Sequence, residues 1–129
     1  MKLSLDTNAY SAFKNGNLEL MRMLEDADEL FVSATVLGEL YSDFQIGRLT
    51  EKNSTELNTF LSKPGISITA VTNEIAFRYG YLIKTLRKQG TPIPTNDIWI
   101  AASTMETGSI LLTGDKHFNH VPGLMVLDY

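Results

Sequence analysis

Four acidic side chains stand at positions that suit the binding of metal ions. Asp6 directly follows a short apolar segment, and Asp115 follows another after a Thr-Gly turn. Asp97 lies in the first turn of a helical segment, and Glu39 lies at the margin of the apolar face of a second one. Mg²⁺ and Mn²⁺ prefer oxygen ligands, and carboxylates gathered in a cleft repel one another unless cations or protons are present. Such a cluster suits phosphodiester hydrolysis by one or two bound ions, which activate water and stabilise the leaving oxygen.

Each of these acids also has an ordinary structural interpretation when it is taken alone. Asp6 could only cap a helix, and Asp97 could only complement the dipole of its helix from the first turn. Asp115 could be a turn residue, and Glu39 could be a solvated helix residue. The functional hypothesis therefore depends on the order of the whole set and not on any single acid.

Several other residues that could do chemistry have simpler expected roles. Asp43 follows the helical acid by one turn and is expected at the surface. His117 and His120 lie in a tail that is rich in turn residues, where we expect exposed or packing roles for both. Tyr79 and Trp99 are expected to pack in the core and not to stack on nucleic-acid bases.

Short apolar strands alternate with amphipathic helices along the chain. This pattern predicts a three-layer α/β/α fold with a mostly parallel sheet of about five strands, in one domain that covers residues 1–129. In such sheets, ligands bind at the carboxyl ends of the strands, where Asp6 and Asp115 are expected. The predicted strands cover residues 2–5, 30–32, 66–70, 110–112 and 124–127. The predicted helices cover residues 9–13, 18–27, 34–47 and 51–61, a long segment capped at 72–73, and a segment from 95 or 96 to 106.

The composition excludes several classes of protein and site. The chain has 129 residues, of which 43% are hydrophobic and 20% are charged, which is typical of a globular protein. It has no cysteine, so disulfides, thiolate metal sites and cysteine nucleophiles are excluded. Its net charge of -4 argues against a generally basic surface that binds nucleic acid. Because no apolar run is long enough for a bilayer and an acid interrupts the start, we expect a cytoplasmic protein with no membrane contact.

Four sequence motifs in order resemble those of PIN domains. Each motif is weak alone, but together they span nearly the whole chain with spacing similar to that of the family. One departure is Asp43, where many members of the family have a glycine. The motifs are LDTN at 5–8, VLGEL at 36–40, NDIWIAA at 96–102, and LTGDKHF at 112–118 followed by VPGL at 121–124.

The short length is similar, within PIN domains, to that of VapC-type toxins of toxin–antitoxin systems. The resemblance implies an endoribonuclease that depends on Mg²⁺ or Mn²⁺, is usually a homodimer, and is held inactive by an antitoxin protein. It implies that the acidic site residues, which would bind one or two ions, are Asp6, Glu39, Asp97 and Asp115. It also implies that Thr113 supplies a supporting hydroxyl, with Thr7 and Asn8 as further supporting residues.

Three alternatives compete with this hypothesis. A phospho-acceptor receiver domain would need an acidic pair after the first strand, an aspartate after the middle strand and a lysine after the last, and none of these is found. A catalytically weak module of the same fold that binds RNA or protein is disfavoured because all four acids are intact. A nuclease acting on DNA or structured flaps would need helical insertions for which this length has no room, so RNA that is single-stranded or looped is the preferred substrate.

Overall fold

Five strands and six α-helices make up the computed structural model, which describes residues 1–129. The strands are β1 (Lys2–Leu5), β2 (Glu29–Ser33), β3 (Ile66–Thr69), β4 (Ile110–Leu112) and β5 (Val126–Leu127). The helices are α1 (Thr7–Lys14), α2 (Leu18–Asp26), α3 (Ala34–Ile46), α4 (Thr50–Leu61), α5 (Asn73–Gln89) and α6 (Thr95–Thr107). A 3-10 helix, Lys116–His120, lies between β4 and β5.

All five strands are parallel and lie in the order β3-β2-β1-β4-β5. The chain moves from β1 to β3 in one direction and then crosses back to place β4 on the other side of β1. Right-handed crossovers put the helices of the first two connections on one face of the sheet and α5 and α6 on the other. The prediction of a three-layer α/β fold with a parallel sheet is therefore confirmed.

The reversal of strand order places a crevice at the carboxyl ends of β1 and β4. These strands are neighbours, and Leu5 lies opposite Leu112 in the sheet. The residues that follow them, Asp6 and Thr113, therefore leave the sheet side by side. Open α/β sheets bind ligands at such a switch point.

Apolar strand residues and one stripe of each helix form the core that fixes this edge. Twenty-three buried hydrophobic residues make one continuous cluster, and Leu3, Leu111 and Leu112 are fully inaccessible to solvent. Tyr79 and Trp99 stack at 3.8 Å and pack against this cluster, which confirms their expected structural role. No helix combines the length and the apolar character that crossing a bilayer requires.

The predicted cap at 72–73 is confirmed, whereas the tail of the chain differs from its prediction. The side chain of Thr72 accepts a hydrogen bond from a first-turn amide of α5, and Asp6 and Ser33 cap α1 and α3 in the same way. β5 covers only Val126–Leu127 and not the predicted 124–127, because a turn at Gly123, with φ of +80°, precedes it. The sequence pattern also did not predict the 3-10 helix that follows Asp115.

The strand order excludes the receiver-domain alternative. Receiver domains have the doubly wound order 2-1-3-4-5, in which the third strand is central. In this protein β3 is an edge strand, and it ends without an acid.

Candidate active site

Asp6 is a buried carboxylate at the carboxyl end of the central strand. Only 4% of the residue is exposed, because the core encloses the end of β1. Its Oδ1 caps α1 by accepting the amide N–H of Ala9 at 2.7 Å, and its Oδ2 accepts the hydroxyl of Thr113. Both carboxylate oxygens are therefore fixed in orientation, while each retains lone pairs for a further ligand.

The Thr113 hydroxyl connects the two halves of the crevice. It donates to Asp6, and it accepts the backbone N–H of Asp115 at 3.0 Å. Since Thr113 is itself buried, this single group sets the position of an acid on β1 relative to the loop after β4. The geometry agrees with the expected supporting hydroxyl.

Asp97, Asp115 and His117 gather beside this pair. Their ligand atoms all lie within 4.8 Å of one another. Asp97 projects from the first turn of α6, and Asp115 caps the 3-10 helix by accepting the N–H of His117 at 2.9 Å. The ring Nδ1 of His117 lies 3.3 Å from Asp97 Oδ2 and 3.3 Å from Asp115 Oδ1.

Burial, with a smaller contribution from neighbouring acids, raises the pKa of two of the acids. Burial raises the pKa of Asp6 above its ordinary 3.8; the charges of Asp115 and Asp97 act in the same direction, and the hydrogen bonds from Thr113 and Ala9 oppose them. Burial also raises the pKa of Asp97; Asp115 adds to this shift, while the hydrogen bond from His117 acts against it. The folded chain thus holds negative charge where it is unfavourable without a cation.

Glu39 lies at the edge of the cluster and not within its tightest group. Its Oε1 accepts the hydroxyl of Thr7 at 2.9 Å, which ties α3 to the first turn of α1 beside Asp6. It also lines a polar hollow of about 510 Å³ next to α6. The other residues of that hollow are Thr35, Gly38, Ser42, Asp43 and Asn96.

The structure brings together the predicted acids and adds one residue that was expected elsewhere. Asp43 and His120 are exposed, as expected. His117 is exposed too, as expected, with 52% of its side chain accessible, and it also contacts two of the acids, which the sequence analysis did not predict. Its position two residues after Asp115 was a usable indication, because a tight turn brings such a neighbour back onto the acid.

The donor set fits a divalent metal ion. Every buried side-chain nitrogen and oxygen already has a hydrogen-bond partner, so packing alone requires no ion. The case for an ion arises from charge, because Asp97 and Asp115 lie together beside the buried carboxylate of Asp6. Asp6, Asp97 and Asp115 would hold the ion, with His117 next to the last two and Glu39 at the edge.

A parallel α/β sheet with carboxylates at its switch point is an arrangement that can bind a divalent ion. The sequence model of the PIN domain matches residues 4–124. Ribonuclease VapC2 of Rickettsia felis is 31% identical over 95% of this chain and 93% of its own length. Ribonuclease VapC2 of Haemophilus influenzae is 32% identical over 96% and 95%.

Solved structures agree with these relatives. The VapBC2 complex of Rickettsia felis, bound to a DNA fragment from its promoter, contains a chain that superposes with a TM-score of 0.89 and 27% identity. That match covers 100% of this chain and 99% of the other. The chain belongs to the PIN domain family, and the predicted resemblance to VapC-type proteins is confirmed.

Replacing the Thr113 hydroxyl tests how the crevice is held together. Thr113→Val keeps the side-chain shape but removes the hydrogen-bond partner of the Asp115 N–H and of Asp6 Oδ2, while Asp6 Oδ1 keeps the N–H of Ala9. We expect a loss of about 1–3 kcal/mol in the free energy of unfolding, measured with urea. Thr113→Ser keeps the hydroxyl and is the control, expected to lose less than half as much; equal losses would contradict the bridging role.

Neutralising Asp97 tests the repulsion within the cluster. An acid whose pKa is raised by folding destabilises the folded state increasingly as pH rises from its ordinary pKa of 3.8 to the raised value, and fully above it, so at neutral pH the charged Asp97 opposes folding. Metal-free Asp97→Asn is therefore expected to melt at a higher temperature than the parent, with the difference shrinking as pH falls through the raised pKa and vanishing below 3.8. Mg²⁺ should stabilise the parent more than this variant.

Asp26→Asn, at an exposed position in the last turn of α2, is the matched control for thermal unfolding. It removes one negative charge far from the crevice and should change neither the metal-free melting temperature nor the response to Mg²⁺. A parent protein that is indifferent to Mg²⁺, together with a less stable Asp97→Asn, would show that the acids do not repel one another.

Proposed function

We propose that this single domain, residues 1–129, is an endoribonuclease that depends on Mg²⁺ or Mn²⁺ and acts as the toxin of a VapBC-type toxin–antitoxin pair. One observation carries the proposal: Asp97 and Asp115 lie together at the switch point of the sheet, close enough to the buried Asp6 for their charges to raise its pKa. Two relatives of nearly equal length named Ribonuclease VapC2 support RNA as the substrate.

The chain's own residues bind, orient and expose the reacting groups. Asp6 is held in one orientation by Ala9 and Thr113, so it offers its remaining lone pairs at a fixed place. Asp97 and Asp115 keep 16% and 33% of their side chains exposed, which opens the cluster to a phosphate of the substrate. A bound divalent ion would neutralise that phosphate and activate the attacking water.

Glu39 has a proposed role at the entrance to the cluster. Its hydrogen bond to Thr7 directs the carboxylate toward the polar hollow next to Asp97. A carboxylate there can orient a water molecule or an outer ligand of an ion, as groups around metal sites do. This arrangement agrees with the predicted contribution of Glu39 and Thr7 to the site.

The catalytic proposal is tested by cleavage of a mixed RNA pool with mapped ends. The purified protein should cleave RNA internally, lose this activity with a chelator, and regain it with Mg²⁺ or Mn²⁺. Asp6→Asn and Asp97→Asn should remain folded and lose at least about a hundredfold in rate, because each removes a charge that binds the ion.

Asp26→Asn controls for the change in net charge and should cleave like the parent. Variants of Asp6 and Asp97 that cleave as fast as the parent would show that the site is misassigned. RNA binding without any metal-dependent cleavage would instead favour the catalytically weak binding module.

The proposed partners follow from the VapC relatives. The VapBC2 complex of Rickettsia felis supports an antitoxin partner, since its matching chain aligns with this one along the whole length at 27% identity. We place this protein, like its RNA substrate, in the cytoplasm, where a cognate antitoxin would hold it inactive. A small protein encoded by the neighbouring reading frame is the expected antitoxin.

A homodimer is also part of the proposal, and α5 offers a surface for it. Phe77 and Tyr81 are 77% and 65% exposed in the middle of this helix, beside a hollow of about 620 Å³. Glu74 and Lys84 flank them on the same face of the helix, and both are exposed. These four residues form the α5 stripe. Exposed aromatic patches rimmed by charge are typical of protein interfaces.

The stripe on α5 is self-complementary. Position 79 is the midpoint both of Phe77 and Tyr81 and of Glu74 and Lys84. Two copies of α5 that cross antiparallel at this position would bring each phenylalanine to a tyrosine and each glutamate to a lysine. This symmetry fits the isologous interface of a twofold dimer.

The dimer surface is tested by sedimentation of the free protein. Phe77→Asp places a charge at the centre of the stripe and should convert the dimer to a monomer. Leu18→Asp, at an equally exposed apolar position on α2, is the control and should remain dimeric. Lys84→Glu should weaken the dimer, and adding Glu74→Lys should restore it; a dimer that survives Phe77→Asp would place the interface elsewhere.

A further inference from the structure

One ring nitrogen of His117 contacts both Asp97 and Asp115. Its Nδ1 lies 3.3 Å from one oxygen of Asp97 and 3.3 Å from one oxygen of Asp115. One ring N–H points along a single direction, so a hydrogen bond accounts for one of the two contacts and leaves the other. The ligand atoms of all three residues lie within 4.8 Å of one another, which is close enough for a single ion to bind all of them.

The backbone holds the imidazole in this position. The backbone N–H of His117 donates to Asp115 Oδ1 at 2.9 Å, because Asp115 caps the 3-10 helix. This bond keeps the ring of His117 next to Asp115. The next residue, Phe118, is only 2% exposed and anchors the 3-10 helix in the core. The ring therefore has a fixed base and an accessible face, as a ligand at the border of an open site requires.

We propose that His117 is a metal ligand together with Asp97 and Asp115, and that it makes the site selective for Mn²⁺ over Mg²⁺. The inference rests on the proposed binding of a divalent ion by the acids. Mg²⁺ is bound almost entirely through oxygen, whereas transition ions also accept an imidazole nitrogen, Mn²⁺ the most weakly among the first-row divalent ions. An imidazole added to carboxylates therefore favours Mn²⁺ over Mg²⁺, to which it contributes little.

A different role for His117 makes the opposite prediction. A protonated imidazole between Asp97 and Asp115 would act as a counter-ion that stands in for the metal. Removing it would then strengthen the binding of both ions, because they would no longer compete with a resident positive charge. The direction of change in the two affinities separates a ligand from a counter-ion.

The test measures metal binding by RNA-free protein, so it does not depend on cleavage. Mn²⁺ binding is followed by the electron paramagnetic resonance signal of the free ion, and Mg²⁺ binding by calorimetry. His117→Ala and His117→Asn should weaken Mn²⁺ binding about tenfold or more and leave the Mg²⁺ constant nearly unchanged. His120→Ala, in the same 3-10 helix but outside the cluster, should leave both constants unchanged.

Pulsed electron paramagnetic resonance reports directly whether a ring nitrogen binds the Mn²⁺ ion. The parent loaded with Mn²⁺ should show coupling to a ring nitrogen that disappears in both His117 variants and persists in His120→Ala. Unchanged or stronger Mn²⁺ binding in folded His117 variants would overturn this inference while leaving the acidic site intact. Failure of the parent to bind either ion would instead contradict the proposed function itself.

Discussion

Burial of one carboxylate at a sheet edge, together with repulsion from two neighbouring acids, is the constraint on which the structure of the site depends. Asp6 is buried, and Asp97 and Asp115 face it closely enough to raise its pKa. The fold opposes this repulsion with neutral hydrogen bonds, chiefly from the Thr113 hydroxyl, and with the imidazole of His117. The folded chain therefore holds negative charge at a cost in free energy, and binding of a cation would reduce that cost.

Topology is what brings these acids together. Asp6 and Asp115 are more than a hundred residues apart in the chain, but β1 and β4 are hydrogen-bonded neighbours, so their carboxyl ends meet. Asp97 comes from α6, the helix that leads into β4, and Glu39 comes from α3, which follows β2 on the other side of β1. Each connection between consecutive strands thus places one acid in the same crevice. The apolar strands behind the crevice supply the rigidity that a precise set of metal ligands needs.

The sequence predicted much of this arrangement for identifiable reasons. Asp6 was found because a capping acid follows a short apolar strand, and the alternation of elements implied that such strand ends share an edge. The sequence could not show that Asp97 and Asp115 lie in a tight group while Glu39 lies at its edge. The contact that positions Glu39 is with Thr7, which is far away in the chain. His117 was missed because its contacts depend on a 3-10 turn that apolar periodicity does not indicate. The shortened β5 has the same origin, because hydrophobicity alone does not separate a strand from the packed turn at Gly123.

The most direct measurement is a carbon NMR titration of the aspartate carboxyl groups in metal-free protein, repeated with Mg²⁺. If the acids are forced together, Asp6 and Asp97 will titrate above the ordinary 3.8, and saturating Mg²⁺ will lower the pKa of both. If both groups titrate at or below that value and do not respond to Mg²⁺, the cluster does not confine negative charge, and repulsion among its acids cannot be what draws a cation into the crevice.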